Sequence, residues 1–192
     1  VFLAYNEKLG FLAVKELILQ NKDDDFRRLL YEVEILKTIE RTNNPLFLKF
    51  HGLFKKDEME YVIEMASGDI DLYSIIELRK MRNKRYTEKE IVYIFHFLSK
   101  QYDFLENHRI AHSDVNPKNV IVSKNPENQS EYIYCIADFG TSFLLEKSEK
   151  RIPCEDLFGF SQKYAAPEIK LIEQGKNEKF TTYDPYLADV YS

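Results

Sequence analysis

Two short polar loops in this chain carry acids and an amide. The first is His112-Ser113-Asp114-Val115-Asn116-Pro117-Lys118-Asn119, between a helical run and the apolar strand Val120–Val122. It presents a carboxylate, Asp114, and five residues later an amide, Asn119. The second is Asp138-Phe139-Gly140, again at the end of an apolar run. One acid to accept a hydroxyl proton, with an amide and a second acid to hold a cation, is the equipment of metal-assisted phosphoryl transfer. Upstream, Lys15 interrupts the apolar run Phe11–Val14 and reads either as a solvent-facing strand residue or as a cation for such a site.

Those residues need elements to position them. Val1–Ala4 and Phe11–Lys15 read as strands joined by a turn over Asn6–Gly10, an antiparallel hairpin. Residues 23–41 read as a helix. Asp23, Asp24 and Asp25 suit its positive end, and Phe26, Leu29, Leu30, Val33, Leu36 and Ile39 recur at helical spacing. Strands are expected from Phe47 to Phe54 and from Tyr61 to Met65, with a connector at Ser67-Gly68-Asp69. Beyond it the chain turns mostly helical, over 70–82 and 87–108. The second helix opens on a capping box, Thr87 with Glu90, and buries Ile91, Ile94, Phe95, Leu98, Tyr102 and Leu105. Val120–Val122 and Tyr132–Ala137 form a hairpin around a polar insertion. Residues 141–163 read as a long loop, Pro167–Glu173 as a short helix, and Lys176–Pro185 as a polar linker before a last element at Tyr186–Ser192.

The bulk numbers narrow the class. In 192 residues, 44% are hydrophobic and 31% charged, as in an ordinary globular domain. A net charge of −5 argues against a nucleic-acid binder, and no run is long enough to span a bilayer. No signal-peptide pattern is present, and two cysteines, Cys135 and Cys154, make no disulfide framework. A reducing, cytoplasmic setting is the expectation.

The order and spacing of the short motifs resemble the eukaryotic protein kinases, of Ser/Thr type. The chain gives in turn Ala13-Val14-Lys15, an acidic position in the next helix and Glu64-Met65-Ala66-Ser67-Gly68. There follow H-x-D-x-x-P-x-N at 112–119, Asp138-Phe139-Gly140, Ala166-Pro167-Glu168 and Asp189-Val190-Tyr191-Ser192. Each is weak alone; the ordered set is specific. The resemblance implies an α+β, bilobal fold, truncated: strands plus a regulatory helix (23–41) in an N-terminal lobe, 1–66, and a mostly helical C-terminal lobe, 67–192. The latter holds the catalytic loop, 112–119, and an activation segment, 138–168. It implies ATP and Mg2+ as cofactors and a protein substrate. Lys15 would hold the α- and β-phosphates and pair with Glu32, Glu34 being the fallback. Asp114 would accept the substrate proton, and Asn119 and Asp138, hard oxygen donors, would bind Mg2+. Glu64 and Ala66 would offer backbone hydrogen bonds to adenine behind which Ile63 stands guard, and Val1, Ala13 and Ile121 would sandwich the ring. Asp69 or Asp71 would contact the ribose. Ser161, with Tyr164 and Glu168, matches the segment before Ala166-Pro167-Glu168.

Three departures qualify that reading. Ser113 replaces the family's loop arginine, the usual partner of a phosphorylated activation segment, so phosphorylation at Ser142, Ser148 or Ser161 would act through another lever. Asn116 replaces a lysine that neutralises the γ-phosphoryl group; Lys118, two residues on, either supplies that charge or is an exposed loop lysine. The glycine-rich loop would precede Val1, and the helices completing the larger lobe would follow Ser192. The expectation is therefore an ATP-dependent kinase of serine and threonine residues. The alternative is a pseudokinase serving as an ATP-binding or regulatory module. A small-molecule kinase of related fold is disfavoured, because such enzymes generally lack the bracket of Asp138-Phe139-Gly140 and Ala166-Pro167-Glu168.

Overall fold

A computed structural model describes residues 1–20, 22–125, 128, 130–146, 149–157 and 159–192; Ser148 and the side chain of Asp23 lie outside the described residues. Strand β1 (Phe2–Asn6) and strand β2 (Gly10–Ile18) form the expected hairpin. The Asn6 side chain accepts from the N–H groups of Lys8 and Leu9, and Gly10 takes φ +79°, a conformation glycine adopts without a Cβ penalty. Alternation then decides the faces of β2. Leu12 and Val14 are buried on one side, so Ala13 and Lys15 share the other.

Helix α1 (Lys22–Arg41) buries Leu29, Val33, Leu36 and Ile39, the spacing of one helical face. Strands β3 (Phe50–Lys55) and β4 (Glu60–Ala66) complete an antiparallel sheet of order β1-β2-β4-β3. The register sets Lys15 opposite Ile63 and Ala13 opposite Met65. Phe47 lies outside β3, contrary to expectation. It is drawn instead into the core, its ring centroid 5.0 Å from that of Phe104 and 6.4 Å from that of Phe139.

The next segment also differs from its sequence reading. Ile70–Asp71 is a short strand, β5, rather than the start of a helix, and it pairs with β7 (Val120–Lys124). Asp71 caps helix α2 (Leu72–Met81), its carboxylate accepting from Ser74 N and Oγ. Helix α3 (Glu88–Asn107) carries the full capping box of Thr87 and Glu90. Its buried face is shifted from the expected one. Ile94, Gln101 and Leu105 are buried, whereas Ile91 and Phe95 are exposed, Phe95 at 65%. Gln101, fully buried, lies among them because its amide does backbone work. It accepts from Ile136 N at 2.6 Å and donates to the carbonyls of Tyr134 and Phe97. This closes the free edge of β8 (Tyr132–Ile136), whose other edge pairs with β7.

Short strands order much of the remainder. β6 (Ile110–Ala111) pairs with β9 (Phe143–Leu144), and β10 (Ile152–Pro153) with β11 (Thr182–Tyr183), so two stretches read as loop and linker carry sheet. Tyr183 and Cys154 are buried accordingly, and both cysteines are free. Helices α4 (Pro167–Glu173) and α5 (Pro185–Tyr191) follow. One core cluster runs from α1 and Ile63 through Phe47 to Leu105, Ile110, Ile136 and Phe139. It therefore ties the sheet to the helical part directly behind the two polar loops. Among the described residues no helix is long and apolar enough to cross a membrane.

Candidate active site

Lys15 points from β2 into a cluster of carboxylates. Its Nζ lies 2.7 Å from Glu32 Oε1 and 2.8 Å from Asp138 Oδ1. Glu32 is 4% exposed, whereas Glu34 reaches the surface Arg41 instead, so the pairing falls on Glu32 and not on the fallback. Burial works against the Lys15 ammonium, but the two carboxylates outweigh it and its pKa lies above normal. Burial likewise raises Glu32, with Lys15 opposing. At Asp138 burial would raise the carboxyl, yet Lys15 prevails and holds it below its usual range. Removing one partner of the buried Lys15–Glu32 pair strands a charge, at about 3–5 kcal/mol. A Cβ at Gly140 would stand 3.1 Å from Lys15 Nζ and 3.3 Å from Asp138 Oδ1, so a side chain there would press on this pair.

The 112–119 loop is held differently. Asp114 Oδ2 accepts from Asn119 Nδ2 at 3.0 Å, and Oδ1 accepts from the Ser161 N–H at 2.7 Å. Asn116 is buried within the loop. Its amide donates to Asp114 O and to Ser161 Oγ, each at 3.1 Å, while its Oδ1 accepts from Lys118 N and caps the short turn Pro117–Asn119. The lysine-to-asparagine departure thus leaves a neutral tether between the loop and Ser161. Lys118 is exposed, its Nζ 5.2 Å from the centroid of the Tyr73 ring, and it forms no ion pair with another described residue. Ser113 and Asp138 both take positive φ, +66° and +64°, strain of the sort that persists where surroundings over-determine the backbone. The Ser113 hydroxyl is buried with no hydrogen-bond partner among the described residues.

Two anchors went unread in the sequence. Asp189 of α5, buried, accepts from His112 N at 2.6 Å and Ser113 N at 2.7 Å. Burial raises its carboxyl to about 7 against those two donors. His112, fully buried, is kept below its usual pKa by burial. Its Nε2 sits 3.0 Å from Ala137 O and its Nδ1 accepts from Asp114 N, an arrangement that selects the neutral tautomer protonated at Nε2. The family-like Asp189-Val190-Tyr191-Ser192 was the available signal for the first. For the second it was the position of His112 two residues before Asp114.

The remaining expected residues divide. Ala13 and Ile121 are both half-buried. The chain passes so close over Ile121 that a Cβ at Gly68 would stand 2.0 Å from its Cγ2. Val1 lies outside β1, 85% exposed. The Ala66 N–H is already donated to Lys49 O at 2.7 Å, and Glu64 lies within the β4 ladder. Asp71 is consumed as a helix cap, and Asp69 accepts from Lys124 N. Ser142 is buried and donates to His112 O, which closes it to modification in this conformation.

The donor set fits a hard cation. Asn119 turns its NH2 to Asp114, leaving Oδ1 without a hydrogen bond among the described residues, and Asp138 Oδ2 is likewise unengaged. Among the described residues no group of three His, Cys, Asp or Glu side chains is placed to hold a metal. The protein thus offers two oxygen donors, and Mg2+ characteristically takes its other ligands from phosphate and water.

Comparison with known proteins agrees with this geometry. The family model described as protein kinase domain matches residues 1–192. Serine/threonine-protein kinase dst2 of Dictyostelium discoideum is 30% identical over 184 residues, covering 95% of this chain and 14% of that protein. Serine/threonine-protein kinase 10 of Homo sapiens is 28% identical over 193 residues, 100% of this chain and 18% of that protein. The chain therefore spans less than a fifth of the length of these curated relatives.

Proposed function

The chain belongs to the protein kinase family, and on that premise we propose that it transfers the γ-phosphate of ATP to serine or threonine hydroxyls of protein substrates. The observation that carries the reading is Lys15 bridging Glu32 and Asp138 while Asp114 and Asn119 are hydrogen-bonded to each other in the 112–119 loop. We read residues 1–66 and 67–192 as the two lobes that supply these halves. The names of the relatives support serine and threonine as acceptors. Two unpaired cysteines support a reducing compartment.

In this mechanism Lys15 binds the α- and β-phosphates, and Glu32 fixes its direction. Asn119 and Asp138 would hold Mg2+, which would offset charge on the phosphate oxygens. Asp114 takes the substrate hydroxyl proton. Its two hydrogen bonds use one lone pair on each oxygen and leave another free for that proton. Ala13 and Ile121 pack the adenine. The charge missing at Asn116 is supplied by Lys118, swung from its seat on Tyr73.

The second reading, a pseudokinase, has its own observation: no cation lies within ion-pair distance of Asp114 among the described residues. Phosphotransfer to a protein substrate by the full-length protein, with Asp114→Asn as control, separates the two. Equal background incorporation by both would sink the enzyme reading and leave nucleotide binding to be measured on its own.

A further inference from the structure

A concave groove of about 860 Å3 opens between α2, α3 and β8, away from Lys15 and Asp114. Ile70, Ile75 and Val122 lie in its wall, and Val92 extends this apolar surface at 62% exposure. Its frame is preorganised. Arg79 is ion-paired with Glu90 and lies 4.0 Å over the Tyr86 ring, and Glu90 also closes the Thr87 capping box. The rim is basic on balance: Arg79, Arg82, Lys84 and Lys89 line it against two acids, Glu90, which is paired with Arg79, and Glu131. Arg82, Lys84 and Lys89 line the groove, are exposed, and have no ion-pair partner among the described residues.

We propose that this groove docks an acidic linear peptide carrying an apolar anchor. The occupant follows from charge and shape together. Unpaired cations above an apolar wall attract carboxylates flanking a hydrophobic side chain. A nucleic-acid backbone needs a track of cations but no apolar pocket. A membrane takes up a broad apolar surface, whereas here Ile70, Ile75 and Val122 form the wall of a recess.

The test is binding, by fluorescence anisotropy on the full-length protein, so it stands whether or not Asp114 transfers phosphate. The probe is a dye-labelled synthetic peptide of aspartate and glutamate around a leucine pair. Its comparators are the same peptide with serine for leucine, a single-stranded oligonucleotide, and phosphatidylserine vesicles. The expected result is peptide binding weakened about tenfold or more by Arg82→Glu with Lys84→Glu, by Val92→Ser, and by serine in place of leucine. Unchanged thermal midpoints certify that both variants fold. Three results would each overturn the proposal. One is no binding beyond that of the charge-reversed variant. Another is equal binding of the serine peptide. The third is tighter binding of oligonucleotide or vesicles that depends on Arg82 and Lys84 but not on Val92.

Discussion

Lys15 and Asp114 are held by opposite means. Lys15 stands between two carboxylates at 2.7 and 2.8 Å. Asp114 is fastened by neutral donors, the Asn119 amide and the Ser161 N–H, with Asn116 tying the loop to Ser161. Charge pairing joins strand, helix and loop across long sequence distances and fails when one partner is lost. Neutral hydrogen bonds orient a carboxylate without offsetting charge developing beside it. The Lys15 cluster therefore carries its own counter-charges, whereas Asp114 has no ion-pair partner among the described residues.

The largest test of that contrast removes one group from each side. In the full-length protein, Asp114→Asn is expected to cut phosphotransfer about 1,000-fold while leaving ATP affinity nearly intact. Lys15→Ala is expected to lower both. Identical profiles for the two variants would erase the distinction. A smaller effect is expected where charge is missing: Lys118→Ala should lower turnover about tenfold with little change in ATP affinity. A rise in turnover for Asn116→Lys with no response to Lys118→Ala would remove Lys118 from the mechanism.

Below these comes stability. Gln101→Leu leaves Ile136 N and Tyr134 O unpaired in a closed space, on the order of 3 kcal/mol, read as a lowered denaturation midpoint. Wild-type stability would mean that the edge of β8 finds other partners. The finest effect is in pH. Burial lifts Asp189 from 3.8 to about 7, so the folded chain holds its proton more tightly than the unfolded one. Its contribution is complete below the unfolded value and is lost as pH rises through about 7. The stability of the wild type relative to Asp189→Asn should therefore decline between about pH 4 and 7 in denaturant titrations. A difference that stays level across that range would show that Asp189 is not protonated there.

What could be read from the sequence was what is local or ordered along the chain. The Thr87–Glu90 box is a four-residue pattern, and the structure contains it. Helix α4 was found at its observed limits because Pro167 opens it. The faces of α3 were harder. Periodicity says that a stripe exists but not which flank its neighbours cover, and Phe95 and Ile91 fell on the open side. A buried glutamine reads as surface until the strand edge it closes is known. Ile70–Asp71 and Thr182–Tyr183 are strands only through their partners, β7 and β10. At the site, Lys15 and Glu32 could be matched, but the Ala66 N–H was already committed to Lys49 O. Asn116 announced a missing charge. Its tether to Ser161 required the fold.

The bonds from Asp189 to His112 and Ser113 close over 77 and 76 residues of chain. On the ribosome, where a polypeptide emerges from its N-terminus onward, the loop bearing Asp114 is made long before the carboxylate that fixes its backbone. Until Asp189 leaves the exit tunnel, the N–H groups of His112 and Ser113 lack this acceptor. A nascent chain stalled just short of that residue should therefore present a loop open to protease, and one stalled beyond α5 a loop that is closed.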